Sequence, residues 1–311
     1  NRMSTERHVD FIKFDEWYDI GNTTELAKTR KKFQKDFQIL DKNDENTFMF
    51  DDYIIKFFHN STIVKNRVER AKNLFPLVPK LIDSTSNFYK YQNVDGDLFS
   101  KSVTEPKFKR FLEWSTENLW EKSNKSIKKE CEKFYIEKTL KRINKLQHKE
   151  ENLPINGMEI PSVLELITKS KEILLSNIIP TKFHGDFILD NIIEKNNKFT
   201  LIDWRQDFGG ELNSGDIYYD LAKLNHNLVI NHEIVNQNNY TINIGKDNIE
   251  VDILCSNKLI ECQKILHEFI KDHGYDLYKI KVLTSIIWIN MAPLHQYPLG
   301  LFLFYFGKYH L

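Results

Sequence analysis

Residues 181–204 read TKFHGDFILDNIIEKNNKFTLIDW, with one His and three Asp set among apolar residues. NIIEK and FTLID each have the length of a short strand, and Asn196, Asn197 and Lys198 join them with turn chemistry. A three-residue loop places Lys195 against Phe199 and, counting back, Asn191 against Asp203. A two-residue loop shifts the pairing by one and keeps the two as neighbours. Opposed side chains in a hairpin stand roughly 5 Å apart at Cβ. Two oxygen ligands that close can share one Mg²⁺, which takes oxygen at about 2.0–2.1 Å. Asp186 lies at the far end of the preceding loop, free to point at whatever the metal holds. A free carboxylate beside a metal pair is what phosphoryl transfer needs: the metal neutralises phosphate charge, and the carboxylate orients a hydroxyl and accepts its proton.

The 311 residues around this stretch fit one large two-lobed domain or two small ones. Hydrophobic residues make up 41%, enough for a substantial core, and Lys+Arg equal Asp+Glu at 44 each. A nucleic-acid binder would show a basic excess, so nucleic acid is not an expected partner. No apolar run approaches the ~20 residues of a membrane helix, and PLGLFLFYFG near the end is too short to span. The start carries no secretory leader pattern. Cys131, Cys255 and Cys262 are widely spaced, odd in number and without zinc spacing, which points to a reducing cytoplasm. The first Met is at position 3, so the chain reads as a piece of a longer protein.

FQKDFQIL, NTFMF and DYIIKFF predict a three-stranded meander over residues 33–58, with DKNDEN as the first turn. A helix over 62–74 follows, capped by Asn60 or Ser61 and ended before Pro76. NFYKYQ predicts another strand, and NVDGDL a loop. Beyond about residue 105 amphipathic helices dominate: FKRFLEWSTENLW, KKECEKFYIEKTLKRINKL, SVLELITKSKEILLS, then 217–228, 257–273 and 277–290. Residues 234–254 read as a loop or short hairpin. The order is a small β-rich lobe, a connector and a large helical lobe, with a cleft between as the natural ligand site.

Three motifs carry a family resemblance. HGDFILDN resembles the H-G-D-x-x-x-x-N catalytic loop of aminoglycoside phosphotransferases and choline kinases. LIDW resembles their metal-binding I-D-[WFY] strand, and GDIYYDLAKL the G-D-x-x-x-D-L-A segment that follows it. Order and spacing agree. The resemblance implies an α+β, protein-kinase-like fold with an N-lobe over 31–92 and a helical C-lobe over 93–311. It implies ATP, with GTP as the other candidate, and Mg²⁺ as cofactors, and a small-molecule hydroxyl as acceptor. Asp186 is then the catalytic base, and Asn191 and Asp203 hold the metal. Lys56 matches the strand lysine on the α- and β-phosphates, and Glu69 the helix glutamate that pairs with it. The connector around Gln92 and Val94 binds adenine through its backbone. His184 holds the loop, Asp207 touches a substrate hydroxyl or second cation, and Asp220, one turn beyond the helix cap Asp216, braces the loop.

Blander readings stand beside these: Lys56 as a snorkelling lysine, Glu69 as a solvated helix residue, Asp190 as a solvated loop residue. Trp288, His295, Tyr297, Phe302, Phe304 and Tyr305 suggest a choline cage, although an aromatic stripe of this kind is more often core. The turn DKNDEN departs from the family's Gly- or Ser-containing phosphate loop, and its acids would repel phosphate. WYDIGNTTELAKTR resembles the C-terminal W-x-D-x-G segment of sugar-nucleotide pyrophosphorylases, which makes residues 1–30 an extension of that kind and implies a fused or associated nucleotidyltransferase. A sugar or sugar-like alcohol of surface polysaccharide synthesis is therefore the first acceptor expected. Choline or ethanolamine is second and an aminoglycoside third. The reading from another class is a non-catalytic kinase-fold binding or regulatory module.

Overall fold

The computed structural model describes residues 44–146 and 152–311, the backbone of Gln38–Asp41, and positions 24, 25 and 29. The pyrophosphorylase-like segment therefore lies outside the described residues, apart from those three positions, as do two residues of the DKNDEN turn.

Strands β1 (Gln38–Asp41), β2 (Glu45–Met49) and β3 (Tyr53–Phe58) form the meander that the alternation predicts. With β4 (Leu81–Ser84) and β5 (Phe88–Gln92) they make one antiparallel sheet in the order β1-β2-β3-β5-β4. Strand β4 has no sequence signal, because it is short and all but its first residue are exposed. In β3 the period of two sends Ile54, Lys56 and Phe58 to the same buried face, so Lys56 points inward and is only 3% exposed. Helix α1 (Ser61–Leu74) packs on the sheet. Asn60 is its cap, accepting from the Thr62 amide at 2.9 Å.

The larger lobe is helical. Helix α2 (Glu105–Asn118) leads to α3, the stretch 128–143, whose middle, Glu132–Glu137, widens to π geometry. Helix α4 (Val163–Leu175) precedes the loop that carries His184, Asp186 and Asn191. The hairpin that follows, β6 (Ile192–Lys195) and β7 (Lys198–Leu201), pairs Lys195 with Lys198. Its turn is therefore the two residues Asn196 and Asn197, not three. Both hold positive φ, 52° and 63°, as a type I′ turn requires and Asn tolerates. Register consequently sets Asn191 beside Ile202, whose amide donates to the Asn191 carbonyl at 2.9 Å, and leaves Asp203 one residue further on.

Helix α5 (Ile217–Val229) runs through the centre of the lobe, buried on all sides for most of its length. It packs on α7 (Leu277–Met291), with α6 (Asn257–Asp272) alongside. The hairpin β8 (Tyr240–Ile244) and β9 (Ile249–Ile253) fills the stretch that reads as loop or hairpin. The tail forms α8 (Leu299–His310), so close to α7 that a Cβ at Gly307 would meet Ile289 at 2.7 Å. This corrects the cage: Phe302, Phe304 and Tyr305 are fully buried in that packing, Trp288 is 4% exposed, and Tyr297 points to solvent. The three cysteines are free, with Cys131 and Cys262 buried. Among the described residues no helix is long and apolar enough to cross a membrane.

Candidate active site

The loop 183–191 is held by its own first residues. His184 is fully buried, and burial pushes its pKa down to about 4. The neutral ring donates from Nε2 to the Ile202 carbonyl at 2.9 Å and accepts the Asp186 amide on Nδ1 at 3.3 Å. This tautomer ties the loop to the end of β7. Gly185 has φ +88°, and a Cβ there would meet Arg205 Cβ at 2.7 Å, so only glycine fits. Asp220, in the first turn of α5, accepts the His184 amide at 2.8 Å, the Gly185 amide at 2.7 Å and Trp120 Nε1 at 3.3 Å. Burial raises its pKa to about 6 despite those donors. Asp216 caps α5 and forms a fully buried ion pair with Lys279 at 3.2 Å.

These braces bring Asp186 and Asn191 into contact. The Asn191 amide nitrogen donates to the Asp186 carbonyl at 2.9 Å and to its carboxylate at 3.1 Å. Asp203 takes a left-handed backbone, φ 57°, uncommon outside glycine but tolerated by Asp. Its carboxylate accepts from Lys56 Nζ, with Arg67 Nη1 at 3.9 Å. One carboxylate and one amide oxygen fit Mg²⁺, which keeps waters and substrate phosphates for its other positions. The Asn191 amide oxygen has no donor among the described residues. No group of three His, Cys, Asp or Glu that could hold a metal occurs among them.

Glu69 is a correction. It lies on the solvent side of α1, half exposed, and bonds Lys72 at 3.0 Å; Lys56 pairs with Asp203 instead. One residue is about 100° around a helix, and the inward face belongs to Arg67 and Arg70. Arg67 bonds the Tyr89 hydroxyl at 3.2 Å and covers the Phe58 ring. Arg70, 1% exposed, reaches across the lobes. Its guanidinium donates to the carbonyls of Leu212 at 2.9 Å and His184 at 3.2 Å, and to those of Arg205 and Phe183. It also stacks on the Phe183 ring at 3.8 Å. No sequence signal separates this arginine from a solvated one, since Glu-Arg-Ala-Lys reads as an ordinary polar face.

The connector also departs from expectation as a donor. The Gln92 amide donates to Lys80 at 3.0 Å, Asn93 to Asp52 at 2.9 Å, and Val94 to the Asn93 side chain at 2.9 Å. All three N–H groups are engaged within the protein. A cavity of about 380 Å³ adjoins Val94, lined also by Ile193, Lys198 and Thr200. Ile193 and Thr200 are paired across the hairpin and share its partly open face.

The residue that the sequence reading missed is Lys223. Its Nζ meets Asp186 Oδ1 at 2.7 Å, and it is 8% exposed. Burial alone would raise the Asp186 pKa, but Lys223, with further help from His184 and Arg205, holds the carboxyl well below the usual range. Asp186 is thus ionised at any ordinary pH. Asp207 accepts the Gly210 amide at 3.0 Å and is partly exposed. Asp190 is not merely solvated: it accepts from Asn227 at 3.3 Å and lies 3.4 Å from His232.

No family model matches the chain, and no curated protein matches it. Solved structures do. An aminoglycoside phosphotransferase from Streptomyces rimosus superposes at TM-score 0.52 with 13% identity, over 88% of this chain and 97% of that one. Ethanolamine kinase from Plasmodium vivax superposes at 0.52 with 12% identity, over 92% and 89%. A gentamicin-bound aminoglycoside phosphotransferase superposes at 0.51 with 14% identity, over 93% and 95%. The agreement spans both lobes in each case, and the chain therefore has the two-lobed, kinase-like α+β fold of the aminoglycoside phosphotransferases and ethanolamine kinase.

Proposed function

We propose that this protein is a phosphotransferase that moves the γ-phosphoryl group of ATP to a hydroxyl of a small molecule. The observation that carries the reading is the contact chain Lys223–Asp186–Asn191, set beside Lys56–Asp203 within one site. Lys56 and Arg67 supply positive charge for the nucleotide phosphates. Asn191 and Asp203 would hold Mg²⁺, which neutralises phosphate charge when bound. Ile193 offers an apolar floor beside the connector. The acceptor oxygen bonds to the γ-phosphorus as the bond from that phosphorus to the bridging oxygen breaks, releasing ADP. The hydroxyl proton passes to Asp186. Because Lys223 keeps that carboxylate a weak base, its first role is to orient the hydroxyl, with proton transfer late, as suits a loose transition state. A sugar-like acceptor is the reading favoured by WYDIGNTTELAKTR, residues 17–30, and GTP is tested beside ATP.

A second reading, a nucleotide-responsive module without turnover, is favoured by the engaged connector donors and by the exposed Glu69. Thermal unfolding with ATP or GTP, with and without Mg²⁺, followed by a coupled ADP-release assay over neutral, cationic and anionic alcohols, separates the two. A Mg²⁺-dependent rise in Tm with acceptor-dependent ADP release is expected. No shift with either nucleotide refutes the phosphotransferase reading, and a shift without turnover favours the module.

A further inference from the structure

The charges around Asp186 are lopsided. The chain as a whole is neutral, yet Lys138, Arg142, Arg205 and Lys223 gather on the acceptor side of the candidate base. Lys138 Nζ lies 3.9 Å from the centroid of the Phe134 ring, and the Arg205 guanidinium 4.8 Å from the same centroid. Arg142 is aimed by Asn290 of α7, donating to its carbonyl at 3.2 Å. Lys223 is on Asp186 itself. Against these four cations stand two carboxylates, Asp186 and Asp207. Among the described residues Lys138, Arg142 and Arg205 have no carboxylate within ion-pair distance, and Arg205 Nε is buried without a hydrogen-bond partner. Burial, then Arg205, Arg142 and Lys223 in turn, push the Lys138 pKa well below its ordinary value. Burial and Arg205 also lower that of Arg142.

A solvated helix face does not look like this. Surface cations stand apart in water or beside acids, whereas here Lys138 and Arg205 share one aromatic ring, and Arg142 and Lys223 add to the repulsion on Lys138. Such an arrangement costs stability unless an anion joins it. We propose that the hydroxyl acceptor is itself an anion, a sugar or polyol already bearing a phosphate or carboxylate, which Lys138, Arg142 and Arg205 hold while its free hydroxyl meets Asp186. This rests on the phosphotransferase reading and narrows it: a polycationic aminoglycoside or a quaternary amine would face four like charges. The product would carry two anionic groups, so the reaction upstream must be one that installs the first, a phosphorylation or an oxidation to the acid.

The test uses the full chain saturated with Mg²⁺–ADP, so that nucleotide phosphates do not compete for the cations. Glucose, glucosamine, glucose 6-phosphate and glucuronate are titrated by calorimetry and by ligand-observed NMR. At least one of the two anionic probes is expected to bind about tenfold or more tightly than glucose, as a charged hydrogen bond permits. The preference should shrink in 0.5 M salt and fall below about threefold in the Lys138→Gln/Arg142→Gln variant, with Mg²⁺–ADP affinity unchanged. The single Lys138→Gln variant repeats the measurement should the pair lose its fold. Glucose 6-phosphate preferred over glucuronate marks a phosphate ester, and the reverse a uronic acid. Equal binding of all four probes, none of them bound, glucosamine preferred, or a preference that survives the substitution overturns the proposal. So does a variant that weakens Mg²⁺–ADP instead, since the cations would then serve the nucleotide. Failure of the first Mg²⁺–ADP titration strikes the phosphotransferase reading, whereas nucleotide binding without anion preference strikes this inference alone.

Discussion

Arg70→Met removes a guanidinium fork and keeps most of the stem. Four carbonyls lose a donor: those of Phe183, His184, Arg205 and Leu212. The His184 carbonyl keeps the Arg205 amide at 3.0 Å, and Leu212 is near enough to solvent to recruit water. Two acceptors, of Phe183 and Arg205, are left bare, each costing about 1–3 kcal/mol. The stack on Phe183 is lost as well, while the relief of a buried charge offsets part of the sum. A net loss of about 3–5 kcal/mol follows, the range for breaking a buried charged contact. That is a large share of the roughly 5–15 kcal/mol that holds a domain together. Equilibrium urea unfolding measures it, with Glu69→Ala, one residue away and solvated, expected within about 0.5 kcal/mol of the parent. Arg70→Lys should recover less than half, since a point charge cannot serve four carbonyls. An Arg70→Met loss under about 1 kcal/mol, or a Glu69→Ala loss as large as that of Arg70→Met, would refute the assignment of the lobe contact to Arg70.

Other outcomes follow from the same geometry. Asp186→Asn should cut turnover by at least about a hundredfold and leave Mg²⁺–nucleotide affinity within about threefold, read by ADP release and calorimetry; near-normal turnover removes Asp186 from the chemistry. Asp203→Ala should erase the Mg²⁺ dependence of nucleotide binding, and an unchanged Mg²⁺ response in the same titration rejects the metal assignment. His184 makes stability pH-dependent. Its folded pKa of about 4 lies below the ordinary 6.5, so the unfolded chain binds the proton first and stability falls as pH drops from about 6.5 towards 4. The loss amounts to about 3 kcal/mol, and His184→Gln should remove that slope from the urea midpoints. Asn196→Ala forces alanine into a left-handed turn and should cost about 1–2 kcal/mol, whereas Asn196→Gly should be neutral in the same assay.

Much of this was legible in the letters. Asn60 reads as a cap because its side chain has one thing to do at a helix start. HGDFILDN reads as a loop-to-strand transition because an apolar run follows turn chemistry, and the two-lobed order follows from a β-rich stretch over 31–92 followed by a helical remainder. What escaped is set by helical phase. Glu69 and Arg70 are adjacent letters about 100° apart around the helix, one at the solvent and one turned inward, and charge gives no hint which is which. Lys223 lies one turn beyond Asp220, where a lysine normally reaches water; only the tertiary placement of the loop carries Asp186 to it. The hairpin register hinged on whether Lys198 belongs to the turn or the strand, a choice made by two asparagines that accept positive φ.

The π turn at Glu132–Glu137 has a further consequence. There the Lys138 amide donates to Lys133, five residues back rather than four. A turn with one residue too many rotates everything after it by about 100° relative to a plain helix, and what comes after it is Lys138 and Arg142. Closing the bulge at unchanged chain length, so that 132–137 takes regular pitch, would turn both cations by that angle without altering either of them, whereas deleting one residue within 132–137 would close it and leave both where they are. The direction in which Lys138 and Arg142 point is therefore set by helix pitch in a segment that contains neither of them.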